Sequence, residues 1–99
     1  MAVVMRMQWA GVTPEQYDEL RDLVDWETVA PAGGKYHIAF FDDGMFNVVD
    51  VWDSAEQFQA FVETALMPGV AKVGVAGEPV VTIVPAHRVY DARHNEVVS

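Results

Sequence analysis

Ninety-nine residues suffice for one small domain built around a single core. Six basic against fifteen acidic residues leave a formal net charge of −9, a field that repels phosphate backbones and anionic lipid, so neither nucleic acid nor a membrane surface is an expected partner. Cysteine is absent, which excludes disulfides and thiolate catalysis.

Val3 to Trp9 reads as a first strand, with Val3, Met5, Met7 and Trp9 on one face and Val4, Arg6 and Gln8 on the other. After the Ala10-Gly11-Val12 break, Thr13-Pro14-Glu15-Gln16 opens a helix: threonine as N-cap, proline at the first helical position, and glutamine closing a capping box. Tyr17, Leu20, Leu23 and Val24 form its apolar stripe. Ala30-Pro31-Ala32-Gly33-Gly34 ends that unit.

Lys35–Asp42 and Met45–Asp53 are predicted as the second and third strands, joined by the hairpin chemistry of Asp42-Asp43-Gly44. Ser54 caps a second helix with Gln57 as its box partner, and Phe58, Phe61, Val62, Ala65 and Leu66 form one stripe along it. Met67-Pro68-Gly69 is expected to end or kink that helix. Pro79 to Tyr90 is predicted as a fourth strand, at a sheet edge because of its two prolines. The tail from about residue 91 is polar and expected to fray.

The order β-α-β-β-α-β predicts one ferredoxin-like α+β domain over residues 1–99: a four-stranded antiparallel sheet with two helices on one face. Apolar residues make up 52% of the chain, more than a small monomer readily hides. Both faces of the strands carry bulk, as Phe46, Val48 and Trp52 against Val49 and Val51 illustrate. Helices cover one face, and a second copy is the economical cover for the other, so a homodimer is expected.

The N-terminus lacks the basic head and long apolar core of a secretion signal. No apolar run approaches the roughly 20 residues that span a bilayer. A cytoplasmic protein is therefore expected.

Trp52 is the leading candidate site residue, since an indole at a strand end can wall an apolar cleft while its N–H anchors a polar substituent. The competing interpretation packs it in the core under Phe58 and Phe61. His37 is a candidate base, because only histidine titrates naturally near neutrality. Arg6, Gln8 and Asp50 are polar residues within apolar strands. If the first and third strands are neighbours, an Arg6–Asp50 pair could orient an anionic substrate or fix the register of a dimer. Phe58, Phe61 and Phe41 complete the expected ligand-binding set. Dispersed histidines without an i, i+4 pair predict no metal site.

Val51-Trp52-Asp53-Ser54 followed by Phe58 and Phe61 resembles a pattern of the dimeric α+β-barrel superfamily, in its antibiotic-biosynthesis-monooxygenase branch. The resemblance covers roughly residues 2–90 in element order. It implies a homodimer with a site for a flat aromatic or enolisable molecule, oxidised without a cofactor. In that reading His37 deprotonates the substrate, Trp52 orients it, and a buried arginine, Arg6, stabilises the anion. Where the oxygenases of this branch carry an asparagine and a tyrosine, this chain has Val48 and Phe58. The alternative implied by those departures is a non-catalytic dimeric ligand-binding or accessory protein.

Overall fold

A computed structural model describes residues 1–98. The elements run β1 (Val3–Trp9), α1 (Pro14–Val24), β2 (Gly34–Asp42), β3 (Met45–Trp52), α2 (Ala55–Phe61), a π-helical segment (Val62–Leu66), α3 (Met67–Val73), β4 (Val80–Pro85), β5 (Tyr90–Asp91) and β6 (Glu96–Val97). The first four strands to form the main sheet lie in the order β2-β3-β1-β4, all antiparallel. This is the predicted ferredoxin-like α+β arrangement, with the helices on one face.

Local chemistry explains the elements. Thr13 accepts from the Gln16 backbone while the Gln16 side chain accepts from the Thr13 N–H, so two of the orphan donors at the start of α1 are satisfied reciprocally. Ser54 does the same work for α2 by accepting from the Gln57 N–H. Between β2 and β3, Asp43 and Gly44 have φ values of 52° and 77°. Two consecutive positive φ angles make the turn whose twist matches a tight hairpin.

The second helix does not end at Met67-Pro68-Gly69. It continues to Val73, and Gly74 closes it in the left-handed conformation. The accommodation lies one turn earlier, where the Met67 N–H bonds back to the Val62 carbonyl in a widened ring. Pro68 thereby falls in the first turn of α3, where a missing N–H costs little. Gly69 brings this helix onto α1: a Cβ there would stand 2.9 Å from both Leu20 Cδ1 and Val24 Cγ2.

The predicted fourth strand also stops early. Pro85 ends β4, which lies at the sheet edge as its prolines required, and residues from Tyr90 onward turn into a separate small hairpin, β5–β6. Asp91 anchors it by accepting from the His94 ring at 2.7 Å, from the Arg93 N–H at 3.0 Å and from the Tyr36 hydroxyl. These contacts, the His94 ring foremost, hold the Asp91 carboxyl well below the usual carboxylate range although its burial opposes them. A depressed acid stabilises the fold above its unfolded value near 3.8 and loses that contribution as pH falls through the folded value. The hairpin is therefore expected to keep its amide exchange protection at about pH 5 and to lose it only below about pH 4. Amide exchange at Tyr90 and Val97 measured against pH checks this.

The core lies between sheet and helices. Met5, Met7, Trp9, Phe46, Val48 and Trp52 from the sheet meet Leu20, Phe58, Leu66 and Val70 from the helices. The other face of the sheet carries Val4, Ile38, Phe40, Val49, Val51, Val80 and Val84 around a polar strip of Arg6, Gln8, Asn47 and Thr82. Ile38 is 58% and Val80 68% exposed.

Candidate functional site

A cavity of about 190 Å³ opens between the helix-facing side of the sheet and the helices. Its floor is Met5, Met7, Val48 and Trp52, its far wall Leu20, Phe58 and Phe61, and its mouth the Ala30–Lys35 loop. Against this apolar lining one polar chain stands out.

The register places it. Trp52 ends β3, Asp50 lies one pleat earlier on the same face, and His37 of β2 sits directly opposite Asp50. The Trp52 Nε1–H donates to Asp50 Oδ2 at 3.0 Å. Asp50 Oδ1 lies 2.7 Å from His37 Nδ1, and His37 Nε2 lies 2.8 Å from the Tyr17 hydroxyl on α1. An indole nitrogen only donates, and an ionised carboxylate only accepts. With a neutral imidazole, Nδ1 therefore carries the proton toward Asp50 and Nε2 accepts from Tyr17. This is the protonation pattern of an orienting acid behind a base, with the base nitrogen turned outward.

Asp50 is only 7% exposed, and its oxygens are spent on Trp52 and His37. Burial, together with the nearby Glu27 charge, raises the Tyr17 phenol above its ordinary value. Trp26, just beyond α1, packs edge-on to His37 at 5.5 Å between ring centres and tilts against Tyr17 at 5.8 Å. Its indole N–H is buried and lacks a hydrogen-bond partner among the described residues.

The candidates named from the sequence separate into two groups. Trp52, Asp50, His37, Phe58 and Phe61 all line the cavity. Arg6 and Gln8 do not. β1 and β3 are indeed neighbours, but Met5 stands opposite Asp50, and Arg6 is opposite Val49 on the other face of the sheet. An Arg6–Asp50 pair is thus ruled out by the pleat, and no arginine reaches the cavity among the described residues. Phe41 shares the helix-facing side but lies toward the hairpin end, against Phe46 at 5.2 Å rather than on the cavity.

Two further expectations change. Trp52 is both a wall and a core residue, packed against Phe58 at 5.4 Å and Phe61 at 5.5 Å. Its N–H is committed to Asp50 and so is not the anchor for a ligand's polar group. Tyr17 and Trp26 were not singled out by the sequence. Tyr17 sits on the apolar stripe of α1, where a tyrosine reads as packing, and Trp26 follows the left-handed Asp25 cap outside any periodic element. A tyrosine hydroxyl on a core-facing stripe was the available signal, since a buried phenol generally has a partner.

Among the described residues no group of three or more histidine, cysteine or acidic side chains could hold a metal ion. No helix is long and apolar enough to cross a membrane.

No family model and no curated protein matches the chain. Solved structures do match. SnoaB, a cofactor-independent oxygenase from Streptomyces nogalater, superposes with a TM-score of 0.66 at 11% identity, covering 89% of this chain and 95% of that one. A candidate antibiotic biosynthesis monooxygenase from Caulobacter crescentus gives 0.63 at 18% identity over 86% of this chain and 89% of that one. A similar candidate from Nitrosomonas europaea gives 0.66 at 14% identity, over 87% and 90%. The chain has the fold of the antibiotic-biosynthesis-monooxygenase-like proteins. At these identities the likeness is one of architecture, and the chemistry has to be argued from the cavity itself.

Proposed function

We propose that the protein binds a small aromatic or enolisable molecule in this cavity and oxidises it with dioxygen, without a cofactor. The observation that carries the reading is the Asp50–His37 dyad on the wall of a largely apolar cavity, with Nε2 held 2.8 Å from the Tyr17 hydroxyl. A cavity of about 150 Å³ holds benzene, so about 190 Å³ fits one substituted ring or two fused rings rather than a large polycycle.

His37 takes the proton of an acidic C–H, and Asp50 stabilises the imidazolium. The carbanion adds to dioxygen, the imidazolium protonates the resulting peroxide, and loss of water leaves a carbonyl where a methylene stood. One oxygen atom enters the product and the other leaves in water. The protein supplies orientation, and the electrons come from the substrate.

A non-catalytic binder is the second reading. It is favoured by Val48 and Phe58, which line the cavity without offering any hydrogen-bonding group. Oxygen-electrode measurements with 2-tetralone, 1-naphthol and hydroquinones decide between them. The oxygenase reading expects uptake that falls by roughly 10²-fold or more in His37→Gln, the usual range for loss of a general base. Ligand-induced thermal stabilisation with no uptake selects the binder.

We also propose that two copies pair through the apolar outer face of the sheet. Ile38, Phe40, Val80 and Val84 on that face are exposed in one chain, with Val4, Val49 and Val51 half-buried between them.

A further inference from the structure

We propose that Tyr17 and His37 form an acid–base pair that interconverts ketone and enol in compact aryl ketones, an activity that needs no oxidant. The inference rests on the same cavity and base as the oxygenase reading but adds a second catalytic residue and a reaction of its own.

The argument starts from the 2.8 Å contact between the Tyr17 hydroxyl and His37 Nε2. In the empty site the phenol donates to the imidazole. A phenolic O–H rotates freely about its C–O bond, so a ligand carbonyl oxygen at this wall can capture that hydrogen. Capture frees the lone pair on Nε2, and the imidazole becomes a base at the moment the carbonyl is polarised. Nε2 removes the α-proton, the C–H electron pair becomes the new C=C bond, and the carbonyl oxygen takes the phenolic hydrogen. The product is the enol. The imidazolium then returns its proton to the Tyr17 oxygen across the same short contact, and the pair is reset. Every proton is accounted for, and no electron leaves the substrate.

Three features of the surroundings fit this role. Tyr17 is a phenol, protonated and able to donate at neutral pH, and its position 2.8 Å from Nε2 puts that hydrogen beside the base. Asp50, fixed by Trp52, holds the imidazole in the tautomer that presents Nε2. The buried Trp26 N–H, unpartnered among the described residues, leaves one unspent donor at the wall formed by these rings.

The test uses 2-tetralone in deuterated buffer under argon, with loss of its C1 methylene signal followed by proton NMR. The wild-type protein is expected to exchange that position about 10²-fold or more faster than buffer, the scale of general acid–base catalysis. Tyr17→Phe is expected to keep ligand binding and lose roughly 10-fold or more of the rate, and His37→Gln to fall to the buffer rate. No binding of 2-tetralone, or binding with exchange at the buffer rate, overturns the proposal. A wild-type rate in Tyr17→Phe removes Tyr17 from it. Oxygen uptake in air, measured in parallel, keeps the two readings apart. Tyr17-dependent exchange without uptake leaves this inference standing and sinks the oxygenase, whereas uptake in air together with wild-type exchange in Tyr17→Phe does the reverse.

Discussion

Asp50→Asn is expected to leave the fold standing while reversing the proton on the His37 ring. The amide still offers one oxygen, which the Trp52 N–H can keep, but it turns an NH₂ toward His37 Nδ1 where a carboxylate oxygen now lies at 2.7 Å. Two donors cannot face each other. The neutral imidazole answers by moving its hydrogen to Nε2, which then donates to the Tyr17 oxygen and is no longer an acceptor. In the serine-protease triad the same substitution yields the wrong tautomer and a rate loss of about 10⁴-fold. Here the ¹⁵N chemical shifts of the His37 ring report the change directly, whatever the substrate. An Nδ1-protonated ring in both proteins would contradict the hydrogen-bond directions assigned above. Asp50→Ala is the harsher variant. It strands the Trp52 N–H in a residue that is 3% exposed and removes the partner of His37. Leaving a buried donor unsatisfied costs about 1–3 kcal/mol. At about 4–8 °C per kcal/mol for a domain of this size, the melting temperature should fall by roughly 5–20 °C.

This dyad also marks where sequence reasoning stops. Thr13 with Gln16 and Asp43-Gly44 are local signals that act in the structure through the atoms the pattern names. Ser54 caps α2, but the Gln57 side chain accepts from its hydroxyl rather than its backbone N–H, so that box is only half formed. Alternation likewise put Asp50 on the face of Trp52. It could not say which residue of a neighbouring strand would stand opposite. That depends on register, which is set by turns and packing over the whole sheet. A shift of one residue would have brought Arg6, not Met5, to Asp50 and made a different site. The role of Tyr17 was hidden for a similar reason. Its helix was legible, but the α1-to-β2 contact spans twenty residues and exists only once the helix is docked. Pro68 signalled an end or a kink without deciding between them, because the wide turn at Val62–Leu66 that lets the helix continue carries no composition signal.

Ile38→Glu is expected to convert a dimer into a folded monomer. Ile38 is 58% exposed in one chain and sits opposite Val49 on the uncovered face, so an isolated subunit loses almost nothing from the change. Surface substitutions of that kind usually shift stability by less than about 0.5 kcal/mol. In a pair related by a twofold axis the same glutamate enters twice, each copy losing water against the apolar side chains of that face, at a cost of several kcal/mol. Each subunit carries a net charge of −9, so general repulsion already opposes pairing and should weaken with added salt. Ile38→Lys separates the two effects. It lowers the net negative charge yet is expected to dissociate the pair as well, because burial rather than sign is at stake. Sedimentation at micromolar concentration checks all three proteins, and a monomeric wild type would remove the proposed interface. The cavity should be indifferent to the outcome. It lies across the sheet from Ile38, behind the alternating side chains of the same strands. A monomeric Ile38→Glu that still binds 2-tetralone with wild-type affinity would show that one face of the sheet serves the partner and the other the ligand.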